Sequence, residues 1–186
     1  MTVDAAVEAV RAGGIVGLPT DTVYGIGVDP LNEAAVARLF DLKGRPEHKP
    51  VGLLVATIAQ ARMVGEIEGR AEELALAHWP GALTLVVTPR VILANWVGDT
   101  QRRSVGIRVP DHPVALELLE ACGPLAVTSA NRSGGVEAKD DLEARSTFGE
   151  EIAVYLQGVA PGREPSTVVD ATGARLVVLR QGPVRV

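Results

Sequence analysis

The apolar residues of this chain fall into short runs, at 15–18, 51–56, 83–88, 105–109, 125–128, 152–156, 167–169 and 176–179, and none exceeds six residues. Runs of that length, rich in Val, Leu and Ile and bounded by turn residues, read as strands. Between them lie stretches with helical spacing. Val3, Val7 and Val10 predict a helix over 2–12 that stops at Gly13-Gly14. Asn32 caps a predicted helix over 33–43, and 58–64 and 70–79 read as helical up to the Pro80-Gly81 break. Asp111 is expected to cap a helix through Cys122, and Asp140 one to Phe148. Segment 19–29 reads as a polar connection, and 90–102 has no legible period. The runs at 167–169 and 176–179 adjoin with no helix between them, which predicts a hairpin and argues against an all-parallel sheet. A single α/β domain over 1–186 with a mixed sheet is the expectation, since no repeat or long linker divides the chain.

Composition narrows the function. Aromatic residues are only 3% against 47% hydrophobic, so the core is aliphatic and ring platforms for single-stranded nucleic acid are scarce. Eighteen Lys and Arg against 23 Asp and Glu give a net charge of −5, unlike a dedicated nucleic-acid binder. The lone Cys122 excludes an internal disulfide, and with His48, His78 and His112 it forms no zinc spacing. A reducing cytoplasm is expected. Asp4 and Glu8 near the start do not suit a secretion signal, and no apolar run approaches a membrane span.

Three segments carry chemistry-bearing side chains. Pro19-Thr20-Asp21-Thr22-Val23-Tyr24-Gly25 follows a strand, where open α/β sheets commonly meet ligands, although Thr and Asp are also ordinary turn formers. Lys43-Gly44-Arg45-Pro46, with Lys49, groups cations in an acidic chain and suits polyphosphate; a solvated helix end would look similar. Thr128-Ser129-Ala130-Asn131-Arg132-Ser133-Gly134-Gly135 follows a strand as a phosphate-cradling or merely structural loop. No Walker A, no Gly-x-Gly-x-x-Gly opening a helix and no Gly-x-Ser-x-Gly elbow occurs. Ser104, Arg108, Ser166 and Arg180 flank strands and say little one by one.

Taken in order, PTDTVYGIG (19–27), KGRP (43–46), WPGALTLV (79–86), SVGIRVPDHP (104–113), TSANRSG (128–134), STVVD (166–170) and LRQGPV (179–184) resemble the YrdC-like family over nearly the whole chain. The resemblance implies a twisted open mixed sheet with flanking helices around a positively charged cavity. It implies an L-threonylcarbamoyladenylate synthase, which joins L-threonine, bicarbonate and ATP into threonylcarbamoyl-AMP and pyrophosphate. The product serves tRNA modification beside the anticodon, through downstream transfer proteins, with tRNA bound weakly or indirectly. Mg²⁺ is expected to accompany ATP.

By the same resemblance, Lys43, Arg45, Ser129 and Asn131 surround the triphosphate, Lys43 and Arg45 supplying the catalytic charge. Ser104 and Arg180 match further ATP contacts. Thr22, Arg108, the backbone of Val127 and Ser166 match positions around L-threonine. The chain departs at Lys49, where longer members have an ATP-contacting Asn, and at Leu54, where they have a threonine-contacting His. It resembles the short, single-domain form. Two other readings are a double-stranded RNA-binding or ribosome-associated module and a diverged paralogue that hydrolyses nucleotides.

Overall fold

The structure is a computed structural model that describes residues 2–44, 50–162 and 164–186. Its helices are α1 (Val3–Arg11), α2 (Glu33–Lys43), α3 (Ile58–Val64), α4 (Arg70–His78), α5 (Pro113–Cys122) and α6 (Asp141–Phe148). Side-chain caps start most of them. Asn32 Oδ1 accepts Ala35 N–H at 3.0 Å and Asp140 Oδ1 accepts Glu143 N–H at 2.8 Å. The α5 cap differs from expectation. Its N-cap is His112, which makes no side-chain capping bond, and Pro113 opens the helix with its φ already set. Asp111 N–H is held instead by Asp21 Oδ1 at 3.0 Å.

The strands are β1 (Val16–Leu18), β2 (Gly25–Val28), β3 (Gly52–Leu54), β4 (Leu83–Val87), β5 (Val105–Arg108), β6 (Leu125–Ser129), β7 (Val154–Tyr155), β8 (Thr167–Asp170) and β9 (Val177–Arg180). They form one sheet in the order β7-β1-β2-β6-β3-β5-β4-β8-β9. Pairs β1–β7, β3–β5 and β4–β8 are parallel and the others antiparallel, so the sheet is mixed, and β8–β9 is the predicted hairpin. Strand β2 lies inside the segment read as a connection. Its Gly-Ile-Gly-Val sequence lacks the apolar run that marks a strand, because Val127 Cγ atoms lie 2.8 Å from where a Cβ at Gly25 or Gly27 would stand.

The two faces of this sheet are covered unequally. Alternate residues point to one side, where Ile26, Leu53, Leu83, Leu85, Val105, Ile107 and Ala126 pack with α2, α3, α4 and α6 in the larger core. Each fully buried Leu, Ile or Val there contributes about 1.5–3 kcal/mol. On the opposite face, α1 and α5 bury Val16, Leu18, Leu54 and Leu125 at one end only. Past Leu54 in the sheet no helix among the described residues covers that face, and its uncovered part is the floor of a cleft of about 660 Å³.

Among the described residues, no helix is long and apolar enough to cross a membrane.

Candidate active site

Strand register lays out the cleft floor in two rows. Leu125, Leu54, Arg108, Thr84, Val168 and Arg180 stand side by side across β6, β3, β5, β4, β8 and β9. The next row on the same face runs Val127, Gly52, Gly106, Val86 and Asp170. The two glycines make the depression. A Cβ on Gly52 would lie 2.9 Å from the Gly106 carbonyl oxygen, and one on Gly106 would lie 3.1 Å from Thr84 Cγ2. In Val105-Gly106-Ile107-Arg108 the apolar pair feeds the core while the other pair shapes the cleft.

Arg108, 7% exposed, is held on three sides. Its Nε donates to Gly81 O at 3.0 Å, Nη1 to Thr22 Oγ1 at 2.9 Å, and Nη2 to the Asp21 carboxylate. The Trp79–Pro80 peptide before Gly81 is cis. Burial lowers the Arg108 pKa and the Asp21 charge raises it in opposition. The hydroxyls beside it have a fixed polarity. Thr20 Oγ1 donates to Val23 O at 2.7 Å, so the 3.1 Å contact with Thr22 Oγ1 uses the Thr22 proton. Thr22 therefore accepts from Arg108, donates to Thr20, and has no proton left to offer a ligand.

Across the floor, Arg180 Nε donates to Ser166 O at 3.0 Å and Nη2 to Ser166 Oγ at 3.2 Å, while Ser166 Oγ lies 2.7 Å from Thr84 Oγ1. Burial also lowers the Arg180 pKa, with Glu137 raising it in opposition.

The other end of the cleft is made by loops. Lys43, 4% exposed at the end of α2, lies one turn past the buried Leu39 and Phe40 and so points inward, and Gly44 closes the helix at φ 60°. Its Nζ donates to Ser129 O at 2.7 Å, Asn131 O at 2.9 Å and Asn131 Oδ1 at 2.7 Å. Ser129 Oγ also donates to Asn131 Oδ1, at 2.7 Å, and Asn131 Nδ2 donates to Gly135 O at 2.8 Å. The segment over 90–102, illegible in the sequence, forms a wall here. Val51 N–H bonds to Trp96 O at 2.9 Å, Trp96 packs on Phe40 at 5.1 Å between ring centroids, and Asp99 and Ser104 exchange backbone bonds of 2.7 and 3.0 Å.

Of the residues expected from the sequence, Thr22, Arg108, Val127, Ser166, Ser104, Ser129 and Arg180 all line this cleft. Lys43 and Asn131 stand behind Ser129, outside the lining. Arg45 and Lys49 lie outside the described residues, and Leu54 lines the cleft next to Arg108. Sequence reasoning left Asp21, Thr84 and the turn at Asp99 without a role. The alternation of Ala82-Leu83-Thr84-Leu85 held a signal for Thr84, since a hydroxyl between core leucines points to the other face.

The motif order and this geometry agree with what the chain is similar to. The Sua5/YciO/YrdC family, described as telomere recombination, matches residues 8–182. The chain belongs to this family. A Vibrio cholerae relative named threonylcarbamoyl-AMP synthase is 42% identical over 182 residues, covering 95% of each chain. A Mycobacterium tuberculosis relative that carries the same name provisionally is 48% identical over 181 residues, 96% of this chain and 83% of its own. The crystal structure of P. abyssi Sua5 complexed with L-threonine superposes with a TM-score of 0.89 at 35% identity, covering 96% of this chain. This chain spans 53% of that Sua5 chain. The twisted open mixed sheet with flanking helices is thus the Sua5/YciO/YrdC fold.

Proposed function

We propose that the chain is an L-threonylcarbamoyladenylate synthase working as one domain over 1–186. The observation that carries this is the division of the cleft. One end holds a buried guanidinium with Thr22 and Ser166 around it, and the other presents Ser104 and Ser129 beside a buried lysine. The first suits the carboxylate of an amino acid and the second a chain of phosphates. The relatives' names favour this reading over RNA binding or nucleotide hydrolysis.

In the reaction, the threonine amine and bicarbonate give a carbamate and water. A carbamate oxygen then attacks the α-phosphorus of ATP, and pyrophosphate leaves with the electron pair of the broken P–O bond. Both partners are anions, so the protein's work is charge compensation and alignment. Arg108 would orient threonine by its carboxylate. Arg180, fixed by Ser166 in the same row as Arg108, would meet phosphate beside the amino-acid end, with Arg45 as a further cation. Lys43 would act mainly by holding the Ser129–Asn131 loop in shape with its charge close behind. The described lining carries Arg102, Arg108 and Arg180 against Asp99, Glu137 and Asp170, so placement of cations matters more than their excess. Mg²⁺ would arrive with ATP as part of the substrate; the described residues contain no cluster of three or more metal-ligating side chains. The product would pass, in the cytoplasm, to proteins that transfer its threonylcarbamoyl group to tRNA, with tRNA itself bound weakly or indirectly here.

Mass spectrometry of reactions containing ATP, Mg²⁺, bicarbonate and one amino acid at a time tests this. L-Threonine is expected to give threonylcarbamoyl-AMP, with glycine, alanine and valine giving little. No adenylate with any amino acid would overturn the reading.

A further inference from the structure

Asp21 stands one residue before Thr22 and outside the cleft lining, yet its carboxylate is the charge paired with Arg108. Both side chains are nearly buried, at 8% exposure for Arg108 and 14% for Asp21. Asp21 Oδ1 is itself held, since it also accepts the Asp111 N–H at 3.0 Å. A guanidinium has five N–H donors, and Gly81 O, Thr22 Oγ1 and Asp21 take three, leaving two for a ligand. Thr22 has spent its proton on Thr20, so of these two side chains Arg108 is the one that can donate to a ligand carboxylate. Gly81 O and Thr22 Oγ1 are neutral acceptors and leave the guanidinium charge uncompensated in a buried place.

We propose that Asp21 is a positioning residue for amino-acid binding: from behind the cleft, its carboxylate fixes the Arg108 guanidinium so that the two remaining N–H groups face the substrate carboxylate. This rests on the reading of that end of the cleft as the L-threonine site. Asp21 acts through Arg108 and touches no substrate.

The test is steady-state pyrophosphate release by Asp21→Asn and Asp21→Ala, varying L-threonine and ATP separately, with melting temperatures measured alongside. Asp21→Asn keeps the shape and the acceptor for Asp111 N–H while removing the charge. Its KM for L-threonine is expected to rise about tenfold or more, with the KM for ATP within about twofold of the unaltered chain. In an Arg108→Lys background, Asp21→Asn should add less than about twofold, because its effect passes through the arginine fork. Equal losses for both substrates, a fully additive double variant, or a lower threonine KM in Asp21→Asn would each overturn the proposal. The last result would make Asp21 a brake on Arg108. If Asp21→Ala fails to fold, Asp21→Asn decides alone. If the unaltered chain releases no threonine-dependent pyrophosphate, the synthase reading fails, and calorimetric titration with L-threonine judges Asp21 by the same tenfold criterion. No binding of L-threonine to the unaltered chain overturns both.

Discussion

At the Arg108 end of the cleft the polar side chains stand on strands or just beside them, and most are bonded to one another, whereas at the Ser129 end a buried lysine on a helix grips a loop by its carbonyls. Arg108 and Thr84 sit in register on neighbouring strands, and the Ser166–Arg180 bonds join the ends of the β8–β9 hairpin. Their geometry is fixed by the sheet, so loss of one side chain there should change what is bound more than whether the protein folds. The Ser129–Asn131 segment leaves the sheet, with Ser129 still opposite Gly25 on β2 and Ala130 N–H bonded to Tyr24 O at 2.8 Å. Beyond Ala130 its side chains lean on Lys43 and on the Ser129–Asn131 hydrogen bond, so stability and function are entangled at that end.

Lys43→Ala should therefore have the largest effect. It removes a buried ammonium from Ser129 O, Asn131 O and Asn131 Oδ1, and hydrogen bonds to charged groups contribute about 1.5–3 kcal/mol each. A loss of about 3 kcal/mol corresponds to a fall in Tm of roughly 6–12 °C for a chain of this size. Pyrophosphate release should drop by about a hundredfold or more as the loop loses its shape. Thermal unfolding and kinetics on the same sample check this. An unchanged Tm with lost activity would mean that the two ends are built alike, with Lys43 serving the phosphates directly.

Arg108→Lys should show the opposite pattern. The charge stays and the sheet remains, but an ammonium cannot reproduce the planar fork toward Asp21, Thr22 and a carboxylate. Losing one charge-assisted bond costs about 1.5–3 kcal/mol, or about ten- to a hundredfold in kcat/KM for L-threonine, with ATP affected much less. Equal losses for both substrates would remove Arg108 from the amino-acid end.

The same contrast explains what was legible in the sequence. Strand alternation in Val105-Gly106-Ile107-Arg108 and the caps at Asn32 and Asp140 are local patterns, and the structure follows them. The seven ordered motifs led to the family and to seven residues that line one cleft. What stayed hidden depends on distant partners. Lys43 meets Ser129 86 positions away and Arg108 meets Asp21 across 87, so neither the burial of the lysine nor the pairing of the aspartate has a local signature. Strand β2 was hidden because its glycines answer to Val127 on another strand, and the wall over 90–102 because its order comes from Val51, Phe40 and Pro30.

The central claim, that one end of the cleft binds an amino acid and the other the phosphates of ATP for a single reaction, is tested most directly by pyrophosphate release with one component omitted at a time. The account predicts rapid release with ATP, Mg²⁺, L-threonine and bicarbonate together, and a fall to background when either L-threonine or bicarbonate is left out, because the attacking carbamate needs both. Release at the same rate without L-threonine would contradict it and make the cleft that of a nucleotide hydrolase.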